Sequence, residues 1–123
     1  MGVAYDSLTK IIDKMNNSAK VKQVFVTDIG GKPINWEIAF QFYLEGEEPF
    51  HLIIKDQDLS LYLGIAPRAN VVMSGDNNAI VKICNGKGDF THAISREEIT
   101  VEKGKVMDVI RLTRAIAIVL KTD

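Results

Sequence analysis

The stretch from Trp36 to Glu45 restricts this chain more than any other. Trp36, Ile38, Phe40, Phe42 and Leu44 alternate there with Glu37, Ala39, Gln41, Tyr43 and Glu45. Successive side chains leave a strand on opposite faces, so a period of two predicts a strand with one face in a core and the other largely in water. Gly46-Glu47-Glu48-Pro49 then turns the chain into Phe50 to Lys55, with Phe50, Leu52 and Ile54 on one side and His51 on the other. Gln57-Asp58 turns it again into Leu59, Leu61 and Leu63. Connections this short join antiparallel neighbours, which predicts a three-stranded meander. Beyond Gly64 to Arg68, Val71 and Met73 share one face of a fourth strand.

On either side of this region the spacing is helical. Tyr5, Leu8, Ile11, Ile12 and Met15 fall on one face of a first helix, with Asp6 or Ser7 as its expected N-cap. Ser18 to Asp28, carrying Val21, Val24 and Phe25, is read as a second helix, stopped by Gly30-Gly31-Lys32-Pro33. Asp76 to Asn85 places Ile80, Ile83 and Cys84 on one side, with Asp76 able to cap its start. Gly86-Lys87-Gly88-Asp89 breaks that helix, and Phe90 to Arg96 forms another short one. Ile99 and Val101 alternate with Thr100 and Glu102 in a fifth strand, Gly104 closes it, and Val106 to Lys121 makes the final helix. The expected fold class is α/β of the α+β type: one five-stranded, mainly antiparallel sheet with helices packed on one face. With 123 residues and no linker, repeat or low-complexity run, residues 1–123 are read as one domain.

The final helix has more apolar surface than a surface helix needs. At about 100° per residue, Asp108, Arg111 and Arg114 occupy an arc of about 120°. Val106, Val109, Ile110, Leu112, Ile116, Ala117, Val119 and Leu120 take most of the rest, and Met107 and Ile118 interrupt even the charged arc. An ordinary amphipathic helix needs an apolar stripe only a little over 100° wide. Four arrangements would use the surplus: packing on two sides within the core, walling an apolar cavity, forming a homodimer interface, or docking on a membrane surface. The last lacks the strong Lys/Arg face such helices favour.

Composition narrows the function classes. Hydrophobic residues make up 46% and charged residues 25%, the balance of a globular domain. A formal net charge of −1 sets up no field that would draw the chain onto nucleic acid or an anionic membrane. No apolar run is long enough to span a bilayer, no secretory signal pattern opens the chain, and a lone cysteine suits a reducing compartment. The expectation is a cytoplasmic protein without stable membrane insertion.

Catalytic and metal patterns are sparse. His51 reads as a solvent-facing strand residue, His92 as a partner for Asp89 at a helix start, and Cys84 as a small buried hydrophobe. Neither His-x-x-x-His nor Cys-x-x-Cys occurs, and Gly86-Lys87-Gly88 is too short to cradle a phosphate. The basic residues are scattered and the aromatics lie on the inner strand face, which argues against nucleic-acid binding. The chain is therefore expected to be no enzyme, with no catalytic residue, metal or cofactor.

From Ala69 to Leu120 the sequence resembles the second half of the sterol carrier protein 2 domain. Ala69-Asn70-Val71-Val72-Met73-Ser74 stands as its strand, and Asn78 to Lys87 as its helix closing on Gly86-Lys87. Phe90 to Ser95 stands as its short helix, Glu98 to Gly104 as its alternating strand, and Val106 to Leu120 as its last helix. The first half agrees in element order. Departures include Arg96-Glu97 where the family usually has a glycine, Glu102 among the usual lysines, and a last helix with one methionine and three charges.

The resemblance implies an apolar tunnel between sheet and helices that holds a fatty acyl chain, acyl-CoA, sterol or phospholipid. Its expected walls are Phe40 and Phe42 from the sheet, Ile83, Phe90 and Ile94 from the middle helices, and Val106, Ile110 and Ile116 from the last. Residues of these types equally serve as plain core. Two other functions stay open: an accessory module that self-associates through the last helix, and a small enzyme acting on a lipid thioester.

Overall fold

The alternation from Ile38 onward does what its period implies. In the computed structural model, which describes residues 2–122, strand β3 (Ile38–Glu45) buries Ile38, Phe40, Phe42 and Leu44 on one side. Before it come α1 (Val3–Asn16), α2 (Ala19–Val24) and a hairpin of β1 (Val26–Ile29) and β2 (Lys32–Asn35). After it come β4 (Phe50–Lys55), β5 (Asp58–Leu63), β6 (Val71–Asp76), α3 (Asn77–Cys84), α4 (Phe90–Ser95), β7 (Ile99–Lys103) and α5 (Val106–Thr122).

Five strands form the main sheet in the order β5-β4-β3-β6-β7. All neighbours are antiparallel except β3 and β6, which run parallel in a register that sets Phe40 against Val71 and Phe42 against Met73. The mainly antiparallel α+β architecture expected from the sequence is therefore the one observed. A parallel neighbour requires a crossover, and residues 64–70 supply it by passing over the face of the sheet opposite the helices. Ala66 N donates to Gln41 Oε1 at 2.7 Å, and Asn70 N donates to the Ala39 carbonyl at 2.9 Å.

That crossover overturns two sequence expectations. Gln41 and His51, paired across β3 and β4, lie on the face expected to meet water, yet they are only 1% and 8% exposed. Gln41 Nε2 donates to the carbonyls of Phe50 at 3.0 Å and Gly64 at 3.3 Å. His51 Nδ1 lies 3.0 Å from the same Gly64 carbonyl, and its ring stacks on Tyr62. Buried polar groups need partners, and the crossing segment supplies them from its backbone.

Local boundaries also differ from the sequence reading. Helix α1 begins at Val3, not at Asp6 or Ser7, because a distant side chain caps it: the Glu47 carboxylate accepts from Ala4 N at 2.8 Å and Tyr5 N at 3.2 Å. Helix α2 stops at Val24, and Val26 to Asp28, expected to be helical, belongs to β1. Trp36 lies outside β3. The β4–β5 turn centres on Asp56 and Gln57, both at positive φ, one residue earlier than expected and as a tight hairpin turn requires.

All helices gather over the Phe40/Phe42 face. Phe42 stacks on Phe50 with ring centroids 4.9 Å apart, and Tyr5 meets Phe50 edge-on at 5.5 Å. The surplus apolar surface of α5 is used mainly by packing: α1, α2 and α4 all lie against it, and Val109, Leu112, Ala115, Ile116 and Val119 are buried. What remains in water is the first turn, where Val106 is 45% and Met107 71% exposed.

Candidate apolar ligand site

The chain between α3 and α5 builds an open concave surface of mixed polarity. Asp89 caps α4, accepting from His92 N at 2.8 Å, so the helix starts at Phe90. It ends at Ser95, and Glu97, at φ +62°, reverses the chain; Glu98 N then donates back to the Ala93 carbonyl at 2.9 Å. Gly75 in β6, at φ +142°, lets the Glu98 carbonyl approach so closely that a Cβ there would collide with it. Asp76 N donates to that carbonyl at 2.9 Å, just before β7 begins.

Ile99 of β7 is buried and Val101 half-buried, on the strand that packs against α4. Together with Ile94, Glu97, Thr100 and Val106 they line a cleft of about 580 Å³ between α4, β7 and the first turn of α5. Ile94, Ile99, Val101 and Val106 give it an aliphatic side, Glu97 and Thr100 a polar one of similar extent, and it lies largely open to solvent. Such a surface offers non-directional contact to a hydrocarbon and no positioned acid–base pair.

The expected wall residues separate into two groups. Ile94 and Val106 meet at this cleft. Phe40, Phe42, Ile83, Phe90 and Ile116 are buried behind it within the continuous core, and Ile110 is half-buried one turn along α5 from Val106. Ile99 and Val101 were not among the expected walls, although their alternation had marked them as the inner face of a strand.

The groups that an enzyme would require are placed otherwise. Cys84 is buried, and desolvation raises its thiol from the ordinary 9.0 to about 12, so it stays protonated at neutral pH. His92 Nδ1 lies 3.1 Å from Asp89 Oδ1 on an exposed helix end. Among the described residues no three His, Cys, Asp or Glu side chains are grouped to hold a metal, and no helix is long and apolar enough to cross a membrane.

No family model matches this sequence, and no curated protein matches it. Solved structures do. A UbiJ-SCP2 ubiquinone synthesis protein aligns with a TM-score of 0.67 at 11% identity, over 94% of this chain and 88% of that one. A crystal structure of sterol carrier protein 2 aligns at 0.63 and 12% identity, over 98% and 96%. A palmitated SCP2L2 from Aedes aegypti aligns at 0.59 and 17% identity, over 94% and 95%. The chain also matches 12% of the length of Pisa1, a sec-alkylsulfatase from Pseudomonas sp., with a TM-score of 0.54 over 66% of its own residues. This chain has the sterol carrier protein fold, as its second half had suggested.

Proposed function

We propose that this protein binds an apolar lipid non-covalently between its sheet and helices, with the Ile94–Val101–Val106 cleft as the mouth of the site. The observation that carries this reading is the sterol carrier protein fold, in which Ile94, Ile99, Val101 and Val106 line one side of an open cleft between α4, β7 and α5. A neighbour of the same fold was solved as a palmitated protein, which supports an acyl ligand. Energetics are sufficient. Burying about fifteen methylenes gains about 12 kcal/mol, an association cost of about 4 kcal/mol or more offsets part of it, and about 8 kcal/mol corresponds to micromolar affinity.

In this account Phe40, Phe42, Ile83, Phe90, Ile110 and Ile116 are walls that an incoming chain meets after the mouth. The domain acts as a carrier or presenter in the cytoplasm, with neither metal nor cofactor and without catalysis of its own. The similarity to 12% of the sulfatase's length is one of fold, and a carrier domain of this kind can stand beside an enzyme in a longer chain.

Titration with a fluorescent fatty acid tests the reading. Val106→Asp changes a residue already in water, so the fold should survive while affinity falls at least tenfold. An unchanged affinity in the folded variant would remove the cleft from the site. A second reading, self-association through α5, is favoured by one observation, the exposure of Val106 and Met107 side by side. Light scattering at micromolar concentration separates the two, since a monomer excludes a stable homodimer.

A further inference from the structure

One face of the β1–β2 hairpin lies beside the exposed first turn of α5. Ser18, Ala19 and Lys20, at the start of α2, share a hollow with Val119 near the end of α5. At the other end of α2, the Val24 carbonyl accepts from Arg111 Nε at 2.8 Å. Helix α2 therefore runs antiparallel to α5, and the chain leaving it heads toward the start of α5. Thr27 Oγ1 then accepts from Arg111 Nη2 at 3.0 Å. Ile34, the cross-strand partner of Thr27, and Ile29, two residues on, leave the hairpin on the same face as Thr27. Ile29 lies about 6.6 Å beyond Thr27. Met107, one turn ahead of Arg111 on the same side of α5, lies about 6 Å along in the same direction.

Ile29, Ile34, Val106 and Met107 are all exposed, so two separate elements bring large apolar side chains to water at one end of the molecule. Grouped exposure of this kind, rimmed by polar residues, marks an interaction surface. The rim is basic: Lys32 pairs with Ile29 across the hairpin, and Lys103 and Lys105 stand just ahead of Val106, all three exposed. The nearby carboxylates lie off the patch. Asp28 leaves the opposite hairpin face, Asp108 is half-buried, and Glu97 stands on the polar side of the cleft. Glu102 accepts from the Ser74 hydroxyl at 2.7 Å, and Glu37 follows the hairpin at its root. Gly30 and Gly31, at φ +59° and +83°, form the hairpin tip, so neither bulk nor charge stands in front of Ile29.

We propose that the β1–β2 hairpin and the first turn of α5 together form a reversible docking surface for an anionic lipid bilayer. Ile29, Ile34, Val106 and Met107 enter the boundary between headgroups and acyl chains, and Lys32, Lys103 and Lys105 meet the headgroup charge. The net charge of −1 supplies no long-range attraction, so adhesion depends on these local contacts. Charge also favours a bilayer over a second copy of the chain, which would bring its own three lysines against these. The inference does not depend on what the cleft holds. Where the cleft takes a lipid, docking sets its Val106 side against the membrane.

Flotation with vesicles of phosphatidylcholine alone, and of phosphatidylcholine and phosphatidylglycerol in equal parts, tests this. The wild type should partition onto the mixed vesicles at least about tenfold more strongly than onto the neutral ones, since each lysine at an anionic surface adds about fivefold. Ile34→Ser with Met107→Ser should weaken adhesion to the mixed vesicles at least about tenfold. Lys32→Ser with Lys105→Ser should remove most of the preference for them. All four replaced side chains are exposed, and thermal melts establish that the variants are folded. Fatty-acid titration of the Ile34→Ser, Met107→Ser protein should match the wild type, which separates docking from occupation of the cleft. A wild type that floats with neither vesicle, or floats equally with both, would overturn the inference. So would equal flotation of wild type and variants, or a dimer in light scattering that Met107→Ser dissolves, which would give the patch to a second copy.

Discussion

The guanidinium carbon of Arg111 lies 4.4 Å from the centroid of the Trp36 ring. From the same position Arg111 Nε donates to the Val24 carbonyl at 2.8 Å and Nη2 to Thr27 Oγ1 at 3.0 Å. One side chain of α5 thus holds the end of α2, the start of β1 and the residue after β2. Desolvation lowers its pKa below the ordinary guanidinium range, Asp108 opposes that shift and Arg114 adds to it.

Arg111→Met should cost about 1–3 kcal/mol, the worth of a charge-assisted hydrogen bond with a cation–π contact. Arg111→Lys should recover only part, because an ammonium lacks the planar fork that reaches two acceptors. Urea unfolding followed by the fluorescence of Trp36, the sole tryptophan, measures both effects. A loss below about 0.5 kcal/mol in Arg111→Met would show that the clasp does not hold.

Arg111 also shows where reading the sequence stops. It belongs to the charged arc with Asp108 and Arg114, and nothing local announces a contact with Trp36, 75 positions away. The inner faces of β3, β4 and β7 were legible because alternation is a local pattern. The burial of Gln41 and His51 was not, because it depends on where residues 64–70 cross. The β1–β2 hairpin was missed for another reason: apart from Val26 its strand residues are exposed, so no core face writes a period of two there. Ile94 and Val106 were named from the sequence alongside Phe40 and Phe90, and only the fold shows that the first two line a cleft while the others lie in the core.

Gln41→Met should lower stability by about 2–4 kcal/mol. The thioether matches the amide in length but leaves Ala66 N and the Phe50 carbonyl without the partners they now have at 2.7 and 3.0 Å. A shifted urea midpoint at constant m-value is the expected signature. An unshifted midpoint would mean that water replaces the amide.

Glu97→Gly should stabilise the fold. Glu97 stands at φ +62°, in the left-handed region that favours glycine. Relief of about 1–2 kcal/mol of left-handed strain, less about 0.4–1 kcal/mol of added chain entropy, leaves a gain of about 0.5–1 kcal/mol. Calorimetry should show a Tm higher by about 2–5 °C. A lower Tm would indicate that the Glu97 side chain contributes more than its backbone costs.

Burial of Cys84 predicts a pH dependence with a definite sign. The folded thiol titrates near 12 and the unfolded one near 9.0, so its contribution is complete below about pH 9. Above that the unfolded chain releases a proton that the folded one keeps. Stability then falls by about 1.4 kcal/mol per pH unit toward pH 12. Cys84→Ala lacks this slope, so the stability gap between the two proteins should narrow as pH rises from 9 to 11. A constant gap would mean that the thiol ionises in the folded state.

Native mass spectrometry of the purified protein, with solvent extraction of whatever leaves with it, tests the central claim most directly. Lipid binding predicts an adduct of defined mass that extracts as an acyl-containing lipid, or stoichiometric uptake of added fatty acid by an initially clean protein. A clean mass that stays unchanged after fatty acid and acyl-CoA are added would contradict the account, leaving a sterol carrier protein fold that carries no lipid.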